Sequence, residues 1–135
     1  MKRFILLLIA LLPVLLIGKS NVVKVNDIVS AETIKDTVVV TLNIPEKMHM
    51  NLQEDFCFIE GEKAEGVSFG KTIYPEGGEN HDGMISYHGT IKMKKSFKVD
   101  PKVKLNKIKI YVGYQFCFDS YCEPPEEFEI ELSVR

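Results

Sequence analysis

The sequence lacks several features that mark common functional classes. Its 135 residues contain no tryptophan, only three cysteines and no glycine-rich loop of the kind that holds phosphates. Lysine and arginine number 17 against 19 acidic residues, so no basic excess is present to neutralise a nucleic-acid backbone. The length leaves room for one domain. We therefore expect no bound cofactor and no nucleic-acid partner.

The one long apolar run, from Phe4 to Gly18, follows two basic residues near the N-terminus. As a helix these residues would span about 22 Å, short of the roughly 30 Å hydrocarbon core of a membrane. A basic start, a short apolar run and small residues before a cleavage point after Ser20 predict a cleaved secretory signal over residues 1–20. An uncleaved anchor is the alternative. Residues 21–135 would then form one exported, periplasmic domain in which disulfides can form.

The remaining chain is patterned for strands rather than for helices. Hydrophobic residues recur at every second position from Ile108 to Phe118 and again from Phe128 to Val134. No window of ten or more residues has convincing helical periodicity. This pattern predicts an all-β, immunoglobulin-like β-sandwich of two antiparallel sheets. Weaker strand signals cover Asp36–Ile44, Asp55–Glu60, Val67–Ile73 and Met84–Val99, the last as one strand or as two with a bend near Gly89.

Two of the cysteines, Cys117 and Cys122, have four residues between them and stand between the two most strand-like segments. A hairpin there would bring the two side chains close enough for a disulfide. The period-two count puts Cys117 on the face opposite Ile110, which predicts at least one sulfur near the surface. A ring this small stabilises a fold by only about 2 kcal/mol, so the pair is a candidate for thiol–disulfide exchange. A plain hairpin staple is the alternative.

The third cysteine, Cys57, lies in a predicted strand and has no evident partner in the sequence. We expect it to be a small buried hydrophobic residue.

The residues around the cysteine pair resemble a known signature. The runs Tyr114-Gln115-Phe116-Cys117 and Cys122-Glu123-Pro124-Pro125 are similar to the Y-Q-x-C … C-x-P-P pattern of the N-terminal periplasmic domain of the thiol:disulfide interchange protein DsbD family. The resemblance covers about residues 25–134. It continues, in the same order, in Ile44–Asn51, Ile73–Pro75 and Tyr87–Gly89.

The resemblance implies an immunoglobulin-like fold and a redox-active pair formed by Cys117 and Cys122. It implies a thiol:disulfide interchange activity in which the domain takes electrons from a membrane-embedded carrier and passes them to thioredoxin-like or other oxidised exported proteins. It also implies that Cys122 attacks the partner and that Cys117 resolves the mixed disulfide. The membrane segment and thioredoxin-like domain of full-length DsbD have no counterpart in this sequence, so we expect separate partners and a monomer.

Further residues carry weaker predictions. Period-two spacing places Tyr114 and Phe118 in the core, whereas Tyr121 lies in the predicted turn and is a candidate partner contact. Glu123 and Asp82 are candidate proton acceptors for a thiol, or simply solvated charges.

In the family a loop with acidic and aromatic residues shields the cysteine pair. The corresponding stretch here is Glu79–Met84, which is short and lacks an aromatic residue. We therefore expect weaker shielding of the sulfurs. Met48 also departs from the family, which usually has an aromatic residue there.

Two other functions remain open at this point. Thioethers and imidazole suit Cu(I), so Met48, His49 and Met50, with His81, His88 or Met84, could belong to a periplasmic copper-binding chaperone. Successive side chains on a strand alternate faces, which opposes that interpretation, and we assign no metal site. The other possibility is a non-catalytic interaction module in which the hairpin disulfide only stiffens a loop.

Overall fold

The computed structural model describes residues 21–134, and the predicted signal segment lies outside them. The described residues form strands joined by turns and loops, without a helix. Within that range, accordingly, no helix is long and apolar enough to cross a membrane. The strands are β1 (Val23–Lys24), β2 (Val29–Ile34), β3 (Thr37–Asn43), β4 (Met50–Asn51), β5 (Phe58–Gly61), β6 (Val67–Ile73), β7 (Glu79–His81), β8 (Met84–Tyr87), β9 (Thr90–Val99), β10 (Lys107–Tyr114) and β11 (Glu126–Ser133).

The largest sheet has five antiparallel strands in the order β1-β2-β3-β9-β6. Strand β9 alternates buried and exposed side chains along almost its whole length. Met93 and Phe97 point inward, and Met93 is paired with Val40 of β3. Because successive side chains of a strand point to opposite faces, this pattern gives the sheet one apolar face and one solvated face.

The second sheet has the order β11-β10-β5, again antiparallel. Ile110 of β10 is paired with Ile130 of β11, and both side chains are buried. On the outer face Lys109 lies 2.8 Å from Glu129, so the alternating pattern read from the sequence is present as cross-strand pairs.

A third, small antiparallel sheet has the order β4-β8-β7. It exists because the predicted long strand over residues 84–99 is divided into two strands. The break is at Gly89, whose φ of 71° lies in the left-handed region that glycine adopts without steric cost. After this turn β9 joins the large sheet, whereas β8 pairs with β4 and β7.

Residues from all three sheets form one hydrophobic cluster. The prediction of an all-β domain of antiparallel sheets is confirmed, and the small sheet is added to the two that the sequence predicts. Cys57 is buried and free, as expected of a small core residue.

Candidate redox-active disulfide site

The site lies where the ladder between β10 and β11 ends. The ladder reaches Tyr114 and Glu126, and the chain between them closes as a tight loop. Phe118 N donates to Tyr121 O at 2.7 Å, and Glu123 N donates to Phe116 O at 2.9 Å. The hairpin predicted from the sequence is therefore present, with its tip at residues 118–121.

A disulfide joins Cys117 and Cys122 across this loop. The two residues form an antiparallel bridge, and their Cα atoms are 3.9 Å apart. Hydrogen bonds flank the pair on either side and none joins it directly. Side chains are closest at such non-hydrogen-bonded positions, which is why the two sulfurs meet here.

The two sulfurs have different environments. Cys117 is only 2% exposed, whereas Cys122 is an exposed residue. The prediction that at least one sulfur lies near the surface therefore holds for Cys122. Cys117 itself is buried and forms an antiparallel bridge with His49. His49 N donates to Cys117 O at 2.9 Å, and Cys117 N donates to His49 O at 2.8 Å.

The segment through His49 continues into β4, which brings a polar side chain onto the buried sulfur. Asn51 Nδ2 lies 3.9 Å from Cys117 Sγ, and Asn51 Oδ1 accepts a hydrogen bond of 2.7 Å from Ser86 Oγ. Sequence reasoning missed both Asn51 and Ser86 as site residues. Asn51 belongs to the stretch that resembles the DsbD family, which was the one signal available for it.

Cys57 holds the backbone of Asn51 in place. Its Sγ donates to Asn51 O at 3.4 Å, and its own carbonyl accepts a 2.5 Å hydrogen bond from the Tyr74 hydroxyl. Burial raises the pKa of the Cys57 thiol, which keeps it protonated and unreactive.

Aromatic residues surround the loop on two levels. Tyr114 is buried and stacks on Phe116, with ring centroids 4.6 Å apart, and burial raises the pKa of its hydroxyl. Phe118 is half-buried and packs 5.0 Å from the ring of Tyr121, which is 60% exposed. The core role expected for Tyr114 and the exposed position expected for Tyr121 agree with this structure. Phe118 lies between the two.

No protein-family model and no curated protein matches the sequence. Solved structures do. The reduced N-terminal domain of DsbD from Neisseria meningitidis superposes with a TM-score of 0.60 at 20% identity, covering 78% of this chain and 83% of that one. The complex between the DsbD N-terminal and PilB N-terminal domains from the same organism gives 0.57 at 20% identity, covering 77% and 80%. The fold is that of the DsbD N-terminal domain.

This likeness confirms, at the level of fold, the DsbD resemblance read from the sequence and the immunoglobulin-like class. The tip of the cysteine loop, residues 118–121, forms one wall of an open groove of ≈ 570 Å³. Its wall opposite the loop contains Lys47, His49 and His88, and the two imidazole centroids are 5.8 Å apart. Glu123 is exposed and its carbonyl accepts a hydrogen bond from Gln115 Nε2 at 3.1 Å.

The segment predicted to shield the cysteines, Glu79–Met84, forms the β7–β8 hairpin, with Asp82 at its turn. Strand β8 runs antiparallel to β4, and Leu52 N, just after β4, donates to Ile85 O. The β7–β8 turn therefore lies beyond the C-terminal end of β4. The cysteine loop extends beyond the other end, beside Lys47. The histidine-lined wall flanks the cysteine loop, and the role of Asp82 as a proton acceptor stays a prediction.

The residues of the copper interpretation are not gathered around one point. Met48 and Met50 are buried in the core, whereas His49, between them on the strand, faces the groove. His81 pairs with Glu79 on the separate hairpin, at 3.2 Å. Over residues 21–134 no group of three or more histidine, cysteine or acidic side chains is arranged to hold a metal ion.

Proposed function

We propose that this chain is an exported thiol–disulfide exchange domain in which Cys117 and Cys122 cycle between a dithiol and a disulfide. It passes reducing equivalents from a membrane-embedded electron carrier to thioredoxin-like or other oxidised extracytoplasmic proteins. The observation that carries the proposal is the asymmetry of the pair, because Cys122 is an exposed residue of the hairpin and Cys117 is a buried one.

This asymmetry supports a different role for each cysteine. A partner that docks in the groove beside the loop can reach the exposed Cys122, whereas Cys117 is buried. We therefore assign Cys122 as the sulfur that forms the mixed disulfide and Cys117 as the sulfur that resolves it. Tyr121 and Phe118, at the rim of the same groove, supply the apolar part of the contact surface.

The chemistry proceeds through two exchanges. The Cys122 thiolate attacks one sulfur of the partner's disulfide; the new S–S bond forms and the second partner sulfur leaves with the electron pair as a thiolate. Cys117, having lost its proton to water, then attacks Cys122 Sγ and expels the first partner sulfur as a thiolate. The partner gains two electrons and the domain loses two. The dithiol of the membrane carrier restores the domain by the reverse sequence.

The energetics of the ring support exchange over a structural role. A disulfide that closes so small a loop adds only about 2 kcal/mol to stability, whereas a link between distant strands would add about 4 or more. The domain can therefore open the ring and remain folded on its core.

The two solved relatives support the kind of partner. One of them is a complex between the DsbD N-terminal domain, whose fold is similar to that of this chain, and the N-terminal domain of PilB. For this chain we propose a thioredoxin-like partner, encountered by a monomer on the periplasmic side after export directed by residues 1–20.

Trapping the mixed disulfide tests the proposal. The Cys117→Ser variant is mixed with an oxidised, exported thioredoxin-like protein and resolved by non-reducing electrophoresis. Because the resolving thiol is missing, a covalent complex should accumulate through Cys122. The Cys122→Ser variant is the matched control and should trap far less, since Cys117 is buried.

Cys57→Ser should behave as the unmodified protein does. Absence of a complex with either single variant, or a disulfide potential below about −300 mV, would identify an inert staple and the interaction-module function. Trapping through Cys117 would reverse the assigned roles.

A further inference from the structure

A chain of three side chains leads from the small sheet to the buried sulfur. Ser86 is only 6% exposed and its hydroxyl donates to Asn51 Oδ1 at 2.7 Å. This hydrogen bond fixes the amide plane, and the amide nitrogen is thereby turned toward Cys117 Sγ, 3.9 Å away. An amide that accepts at its oxygen presents both N–H groups on the other side, so the orientation follows from the Ser86 contact.

The backbone of Asn51 is held as firmly as its side chain. Its carbonyl accepts from Gln53 N at 2.9 Å and from Cys57 Sγ at 3.4 Å. The neighbouring Met50 is fully buried and paired with Tyr87. The amide therefore remains beside the disulfide whether the S–S bond is open or closed.

Opening the disulfide creates a charge at the less exposed sulfur. A thiolate that attacks the exposed Cys122 expels Cys117 with the electron pair of the broken bond. Cys117 is then an anion at a position that is 2% exposed, where water cannot solvate it. A disulfide sulfur is a weak acceptor, but a thiolate is a strong one, so a long N–H···S contact can shorten when the charge appears.

We propose that Asn51 donates a hydrogen bond to the departing Cys117 thiolate, and that Ser86 is the positioning residue that aims this donor. The inference rests on the proposed function. It names the groups that stabilise Cys117 Sγ as it leaves Cys122 when the disulfide opens. The same donor stabilises the Cys117 thiolate before it resolves a mixed disulfide. Asn51 touches the reacting atom, whereas Ser86 acts only through Asn51.

The rate at which dithiothreitol reduces the disulfide tests this inference without a protein partner. Asn51→Asp keeps the size of the side chain and the oxygen that accepts from Ser86, but replaces the donor with a carboxylate. It should slow reduction about tenfold, since a hydrogen bond to a charged group is lost and leaving-group stability controls the rate. Ser86→Ala should slow reduction about threefold, because the amide is no longer aimed.

The direction of the change separates an electronic role from a merely structural one. Loosening β4 would uncover the ring and make reduction faster, whereas loss of the donor makes it slower. In the double variant Asn51→Ala/Ser86→Ala, the serine change should add nothing to the effect of Asn51→Ala. Asn43→Ala, which removes an amide at the far end of β3, is the control and should leave the rate unchanged.

Each variant is first checked for the β-sheet circular dichroism of the unmodified protein, and if Asn51→Asp fails to fold, Ser86→Ala decides. Rates equal to or faster than that of the unmodified protein would overturn the inference. The result is independent of the trapping experiment. If the Asn51 and Ser86 variants are reduced slowly but no partner is trapped, only the proposed function is contradicted. If a partner is trapped but the rates of these variants are unchanged, only this inference is contradicted.

Discussion

The hairpin of β10 and β11 has two halves that differ in almost every physical property. Its base, from Lys107 to Tyr114 and from Glu126 to Ser133, is a regular ladder with one buried face and charged pairs on the other. Its tip, residues 115–125, has a single bridge, a six-residue ring and exposed side chains around Cys122. The base contributes several side chains to the core, whereas from the tip Phe116 belongs to it and Phe118 packs against it.

This difference shows how one continuous hairpin can be both rigid and reactive. Burial of side chains such as Ile110 and Ile130 fixes the base, so a bond at the tip can break without unfolding it. The tip is in turn held by contacts from elsewhere, through His49 and Asn51. Stability and reactivity are therefore supplied by different neighbours of the same two strands.

The largest effect should come from the base. Ile110 is fully buried, so Ile110→Ala leaves a cavity and should lower the free energy of unfolding by about 3 kcal/mol. Urea denaturation measures this. Ile73→Ala is the matched control, because Ile73 is 57% exposed and should lose little. If the two variants were equally stable, the base could not be the region that holds the fold.

Opening the ring should have a smaller effect. Reduction of the Cys117–Cys122 disulfide with dithiothreitol should cost about 2 kcal/mol of unfolding free energy, the value expected for so short a loop. The measurement compares urea curves of the oxidised and reduced protein. A loss as large as that of Ile110→Ala would make the tip a structural staple and remove the contrast with the base.

Alkaline pH should weaken the hydrogen bond that the Tyr74 hydroxyl donates to Cys57 O. Desolvation, together with nearby negative charge, raises the pKa of Tyr74 to about 12, and its hydroxyl donates to Cys57 O. Because the folded protein holds this proton more tightly than the unfolded chain, the stabilisation is complete below pH 10. It is then lost as the pH rises from about 10 to about 12.

Urea denaturation at pH 8 and pH 11 tests this sign. The unmodified protein should lose more stability over the interval than Tyr74→Phe does, and equal losses would contradict the assignment.

The smallest effect on stability should come from the rim of the groove. Tyr121 is 60% exposed, so Tyr121→Ala should change the unfolding free energy by no more than about 0.5 kcal/mol. The same substitution should slow formation of the mixed disulfide with a thioredoxin-like protein by roughly threefold or more, because it removes an aromatic contact. An unchanged trapping rate would show that the partner does not use this rim.

The base of the hairpin could be predicted from the sequence because its information is local. Alternating residues such as Ile108, Ile110 and Val112 determine which face is buried, and the mirrored pattern after Phe128 identifies the partner strand. The spacing of Cys117 and Cys122 is also local, so the ring could be anticipated.

The surroundings of the tip could not be predicted in the same way. Strand β4 has two residues and β7 has three, too few for any period to be recognised. The pairing of β4 with β8 joins residues 35 apart in the chain and brings Ser86 to Asn51, and the bridge from His49 to Cys117 joins residues still more distant. Without such contacts, only the resemblance to the family indicates Glu79–Met84 as the counterpart of the shielding loop.

The ring also has a consequence for the order of events when the protein is made. Cys117 and Cys122 are neighbours in the chain, and short segments of this kind close within roughly 100 ns even in an unfolded polypeptide. The two thiols can thus meet before Glu126–Ser133 has paired with Lys107–Tyr114. Folding is not what brings the two cysteines together. It makes them unequal, by placing a strand over one and leaving the other in contact with water.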